Sequence, residues 1–123
     1  MISDNLKLVN SRIDSIEHTQ EVQLIAVSKT RSTAEIQEAV NAGQVHFGEN
    51  YLQESLDKIS FFKEGNLIWH FIGPIQSNKT ALIAQNFDWV HSVDRLKIAK
   101  RLSNQRDPDL GELNILIQLN IDE

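Results

Sequence analysis

The chain has no cysteine in its 123 residues. Disulfides and thiolate metal sites are therefore excluded, and a reducing, cytoplasmic location is the expectation. Basic residues are few beside acidic ones, 12 against 17, for a formal charge of −5. A nucleic-acid binder needs a basic face for the phosphate backbone, so no nucleic-acid partner is expected. Long apolar runs are also missing, and none approaches the ~20 residues that cross a bilayer. The start, "MISDNLKLVN", lacks the basic and apolar regions of a secretory signal. No membrane partner and no leader are expected. Two prolines and five glycines leave nothing that reads as a linker or low-complexity segment. What is present is ordinary for a globular chain, 41% apolar and 24% charged, and long enough for one domain with a core.

The apolar pattern alternates between two periods. "SDNLKLVNSRIDSIEH" sets Leu6, Val9, Ile13 and Ile16 on one helical stripe, and "VQLIAVS" then reads as a strand. "STAEIQEAVNAG" opens on a capping box, Ser32 with Glu35, and stops at Gly43. "QVHFGEN" is a short strand, and "YLQESLDKISFFKEG" a helix with Leu52, Leu56 and Ile59 on one face. "LIWHFIG" is a third strand, "SNKTALIAQNF" a short helix, and "DWVHSV" a fourth strand. "DRLKIAKRLSNQ" is a helix with Leu96, Ala99 and Leu102 in line, and "LNILIQLNI" is a fifth strand. Strand and helix in strict alternation make right-handed βαβ units and a parallel sheet.

Two α/β architectures fit this rhythm. A flavodoxin-like doubly wound sheet is complete in about five strands, whereas a (β/α)₈ barrel takes eight strands and about 250 residues. Length favours the first and strand polarity the second. In "LIWHFIG", Trp69 and Phe71 share one face while His70 lies with Ile72 on the other. In "NILIQLNI", Gln118 and Asn120 share a face with Leu116. A strand between two helix layers is apolar on both faces, but a barrel strand carries polar groups inward near its C-terminal mouth. The expected unit is residues 1–123 as the N-terminal half of a barrel, with the C-terminal half absent.

The candidates for chemistry sit at strand ends. Lys29 in "LIAVSKT" closes the first strand, where barrels and open sheets keep their sites. An amine there can condense with an aldehyde if partial burial lowers its pKa from ~10.4. The plainer reading is a solvated lysine opening a loop. Asn50 in "HFGENYLQE" either faces a ligand or caps the next helix. Ser92 in "VHSVDR" has the same two readings. "GPIQSNKT", from Gly73 to Thr80, resembles a P-loop with asparagine for its second glycine. That side chain obstructs a phosphate nest, and Pro74 removes an amide, so a helix capped by Ser77 is the plainer reading. His18, His46, His70 and His91 fall on separate elements with no i, i+4 pair, which does not read as a zinc site.

Taken together, "LIAVSKT", "FGENYLQE", "WHFIGPIQSNK", "VHSVDR" and "LIQLNIDE" resemble the YggS/PROSC family of pyridoxal phosphate homeostasis proteins, in the family's order and spacing. The resemblance implies a fold-type III, alanine-racemase-like (β/α)₈ barrel that binds pyridoxal 5'-phosphate. It implies that Lys29 is the Schiff-base lysine and that Asn50, Ile72, Ser92 and Asn120 line the cofactor end. It implies a carrier that keeps free aldehyde low rather than a catalyst; a racemase-like enzyme is the alternative. The family's phosphate cradle comes late in the barrel, so weak or no cofactor binding is expected of these 123 residues. The first and fifth strands are expected to present open edges through which copies of the chain associate.

Overall fold

The computed structural model describes residues 1–121. Asp122 and Glu123, which end the last matching stretch, lie outside the described residues. A first helix, α1 (Ile2–Asp14), precedes β1 (Ala26–Val27) and α2 (Thr33–Asn41). There follow β2 (His46–Glu49), α3 (Leu52–Phe61), β3 (Ile68–Phe71), α4 (Thr80–Asn86), β4 (Trp89–Val93), α5 (Leu96–Gln105) and β5 (Asn114–Ile117). The capping box forms as the sequence predicts: Glu35 N donates to Ser32 Oγ at 3.1 Å and Ser32 N to Glu35 Oε1 at 3.0 Å. Gly43 follows α2 with φ 99°, a conformation open to glycine.

The sheet is parallel throughout and runs in chain order, β1-β2-β3-β4-β5. That order decides between the two architectures. A doubly wound sheet reverses direction and sends its helices to both faces. Strands added one after another, each by a right-handed crossover, send every helix to the same face. The core agrees. Ile36 and Ala39 of α2, Ile83 and Ala84 of α4, and Ile98 and Leu102 of α5 bury in one cluster with Phe47, Trp69, Phe71 and Val90 of the sheet. No described helix covers the other face. The chain is built as the N-terminal half of a (β/α)₈ barrel, and the flavodoxin-like alternative is set aside.

Several expectations about helix faces need correcting. In α5 the buried pair is Ile98 and Leu102, and Leu96 is 71% exposed. Leu96 opens the first turn, before the helix has closed on the sheet. In α1 only Ile2 and Leu6 pack against the core, Val9 is exposed, and the exposed Ile16 lies beyond the helix end. The expected strand "VQLIAVS" pairs as a strand only at Ala26 and Val27, near its C-terminal end. Ser77 does not cap α4. It opens a 3₁₀ turn, Ser77–Lys79, in which Lys79 N donates to Gln76 O at 2.9 Å. That amide is not available to a phosphate.

Gly73 has a different task from the one a P-loop would give it. A Cβ there would stand 2.4 Å from the carbonyl oxygen of Asn50. The glycine lets the loops after β2 and β3 touch through their backbones. Replacing Gly73 with alanine forces two backbones apart, at a cost of about 1–3 kcal/mol. Urea unfolding of Gly73→Ala should register that loss, and an unchanged midpoint would show that the approach is not required.

Candidate functional site

Pairing with β2 continues past β1, since Ser28 N donates to Gly48 O at 2.9 Å. The Ser28 hydroxyl bonds Glu49 on the helix side of the sheet. Lys29 follows in the turn that leaves the C-terminal end of β1, which Arg31 N closes by donating to Ser28 O at 3.1 Å. The Lys29 side chain is exposed, so the partial burial expected of a reactive amine does not come from the described residues. The chain turns sharply after it: Thr30 adopts φ 61°, a left-handed conformation that a β-branched residue rarely takes.

Under this turn lies a polar cluster. Glu49 is fully buried and Lys58 of α3 nearly so, 0% and 4% exposed. The Lys58 Nζ donates to Glu49 Oε2 at 3.0 Å, to Glu54 Oε1 at 2.8 Å and to the carbonyl of Ser28 at 2.7 Å. The Lys58 ammonium holds the Glu54 carboxyl below the ordinary carboxylate range, with help from the Thr30 amide and against a push upward from burial.

The other candidates sit at the same end of the sheet. Ile72 and Ser92 line one cleft of about 440 Å³ with Pro74, Ile75 and Gln118. The Ser92 hydroxyl donates to Ile72 O at 3.4 Å, and it does not cap α5, whose N-cap is Arg95. A register shift between Val90 and Val93 lets both valines bury on the helix side while Ser92 reaches the cleft. Asn50 is no cap either, because Tyr51 holds that place without a side-chain bond. Asn50 Oδ1 is buried and has no hydrogen-bond partner among the described residues. Asn120 is exposed and accepts from Gln118 Nε2 at 3.4 Å. The structure thus brings Ile72 and Ser92 together, and leaves Lys29 and Asn120 at opposite edges of the sheet.

Three histidines also meet on the inner face. His46 Nδ1 lies 2.9 Å from His70 Nε2, and His70 Nδ1 lies 2.9 Å from His91 Nε2. His70 stacks on Trp89 at 5.6 Å between ring centroids. Adjacent parallel strands make the row, although no spacing within one element suggests it. Each neutral ring has one N–H and one lone pair, so the row is satisfied by donation in a single direction. Among the described residues no group of three or more His, Asp or Glu is placed to hold a metal ion.

No family model matches the chain. It is 49% identical over 130 residues to the pyridoxal phosphate homeostasis protein of Escherichia coli K12, and 50% over 128 residues to that of Vibrio cholerae. These matches take in 99% and 97% of this chain, and 56% and 54% of the relatives. Among solved structures it superposes on PipY of Synechococcus elongatus PCC7942 with PLP bound, with a TM-score of 0.85, 38% identity, and coverage of 98% of this chain and 55% of PipY. The structure of PipY without PLP gives the same TM-score. The chain belongs to the pyridoxal phosphate homeostasis protein family. It spans about half the length of the family members it matches.

The C-terminal ends of the strands offer a primary amine at Lys29, a hydroxyl at Ser92, and at Asn50 an amide oxygen with no partner among the described residues. What the sequence pattern did not reveal is Lys58. The stripe Leu52, Leu56 and Ile59 suggests an apolar helix face, yet Ser55 and Lys58 are the buried residues of α3. One signal was available: Glu49 is in phase with Phe47, which places a carboxylate on the core side.

The histidine row makes stability depend on pH. Burial, with the neighbouring His91 and His46, lowers the pKa of His70 from 6.5 to about 4. Above pH 6.5 neither the folded nor the unfolded chain protonates it. As pH falls from 6.5 to 4, the unfolded chain takes a proton that the folded chain refuses. Stability drops over that window by an amount on the order of 3 kcal/mol. His70→Asn should flatten this part of the stability–pH curve, and an equal slope in parent and variant would contradict the assignment.

Proposed function

We propose that the chain carries the amine-bearing half of a pyridoxal phosphate carrier, with Lys29 as the residue that takes the aldehyde. The observation that supports it most is the position of Lys29 just past the C-terminal end of β1, in a chain so similar to the PLP-bound PipY. Barrel sites gather at that end of the strands. Bound pyridoxal phosphate supplies an aldehyde carbon that an uncharged amine attacks with loss of water.

In this reading Asn50, Ile72, Ser92 and Asn120 line the cofactor end. Ile72 gives apolar contact above Gly48, where it packs with Ile25. Asn50 offers an amide oxygen without a partner among the described residues, and Ser92 a hydroxyl that reaches Ile72 O at 3.4 Å. The phosphate is held by a part of the barrel outside these residues, so the 123-residue chain by itself takes pyridoxal phosphate weakly. The role is holding and release, not turnover. A racemase needs a second acid or base on the other side of the cofactor. Tyr51, the one tyrosine, follows the end of β2 as the N-cap of α3 and lines a cavity with Asn50, Phe71 and Ile83.

Borohydride reduction after incubation with pyridoxal phosphate, followed by peptide mapping, tests the assignment. The pyridoxyl adduct is expected on Lys29 in preference to the other lysines, and Lys29→Ala should lose the imine absorbance. An adduct centred on Lys79, with Lys29→Ala still coloured, would refute it.

A further inference from the structure

We propose that Lys58 and Glu54 are positioning residues for Lys29, fixing the backbone on both sides of it through one buried ammonium. The inference rests on the reading of Lys29 as the amine that meets the aldehyde. The two arms of the clamp are direct. On the near side, Lys58 Nζ donates to the carbonyl of Ser28 at 2.7 Å. On the far side, Lys58 Nζ donates to Glu54 Oε1 at 2.8 Å, and the same oxygen accepts from Thr30 N at 2.6 Å. Ser28 and Thr30 are the residues immediately before and after Lys29. One cation, reached from a different element, therefore holds both flanks of a residue it does not touch.

The burial of Lys58 is hard to explain by stability alone. Taking an ammonium and a carboxylate out of water costs free energy that an apolar pair of similar size would not. A lysine on an outer barrel helix has solvent close by, yet α3 turns Lys58 inward and leaves Phe61 64% exposed. What the pair delivers beyond packing is hydrogen bonds to the turn. Thr30 supplies an independent sign that the turn is held. Its φ of 61° is costly for a β-branched side chain and persists only where the surroundings over-determine it. Glu54 binds its amide, and its own hydroxyl donates to Lys29 O at 2.6 Å. Released from Glu54, Thr30 falls back to an ordinary conformation. The peptide after Lys29 then rotates and carries the amine with it.

Glu54 is the residue to change, because its side chain is one-third exposed and truncation leaves the core intact, whereas Lys58→Met risks unfolding. Glu54→Ala removes the acceptor, and Glu54→Gln keeps an oxygen at the same place. Without any ligand, amide exchange at Thr30 should quicken about tenfold in Glu54→Ala and stay near the parent rate in Glu54→Gln. With millimolar pyridoxal phosphate and borohydride, the share of adduct on Lys29 against exposed Lys97 and Lys100 should fall in Glu54→Ala and return in Glu54→Gln. Unchanged exchange at Thr30 overturns the clamp. Faster exchange with an unchanged share at Lys29 overturns its positioning role. An adduct absent from Lys29 in the unsubstituted chain is a different failure: it removes the reading of Lys29 itself, and the positioning role with it.

Discussion

The structure depends on one constraint, the handedness of the crossover between parallel strands. Each βαβ unit returns on the same side of the sheet, and strands that neighbour one another in chain order give the helices no route to the other face. The apolar faces of α2, α4 and α5 meet Phe47, Trp69, Phe71 and Val90 on one side. Everything polar that the strands carry in the opposite phase is left for the inner face. The histidine row and Ser92 are there for that reason. In barrels of this topology, sites gather at the C-terminal ends of the strands.

Of the two polar groupings, one keeps to the division into an apolar outer core and a polar interior, and the other breaks it. The histidine row lies on the inner face and ties β2, β3 and β4 together at one level of the sheet. Glu49 and Lys58 lie on the helix side, within an otherwise apolar layer. Burial of His70 makes the inner face sensitive to pH between 6.5 and 4.

Much of this was legible in the chain because it is local. Period-two alternation in "LIWHFIG" separates Trp69 and Phe71 from His70 and Ile72, as the structure does. The capping box at Ser32 and the stop at Gly43 are read from residues within one turn of one another. The rest was not legible because it is relational. His46, His70 and His91 meet only through the register of three strands, at separations of 24 and 21 residues. Ser92 reaches the cleft through a register shift that strict alternation does not contain. Lys58 reads as a surface residue until Glu49 is known to lie beneath it. Asn50 and Ser77 are cap residues by type, but Tyr51 takes the cap position of α3, and a 3₁₀ turn from Ser77 to Lys79 precedes α4.

The central claim is that the C-terminal end of the helix-free face is the ligand face. Amide ¹H–¹⁵N spectra recorded as pyridoxal phosphate is added test it most directly. The account predicts shifts concentrated at Ser28, Lys29, Thr30, Gly48, Ile72 and Ser92, with Ala39, Ile98 and Leu102 of the helix layer unmoved. Shifts centred instead on the cavity between α5 and β5, around Leu102, Arg106 and Leu113, would contradict it.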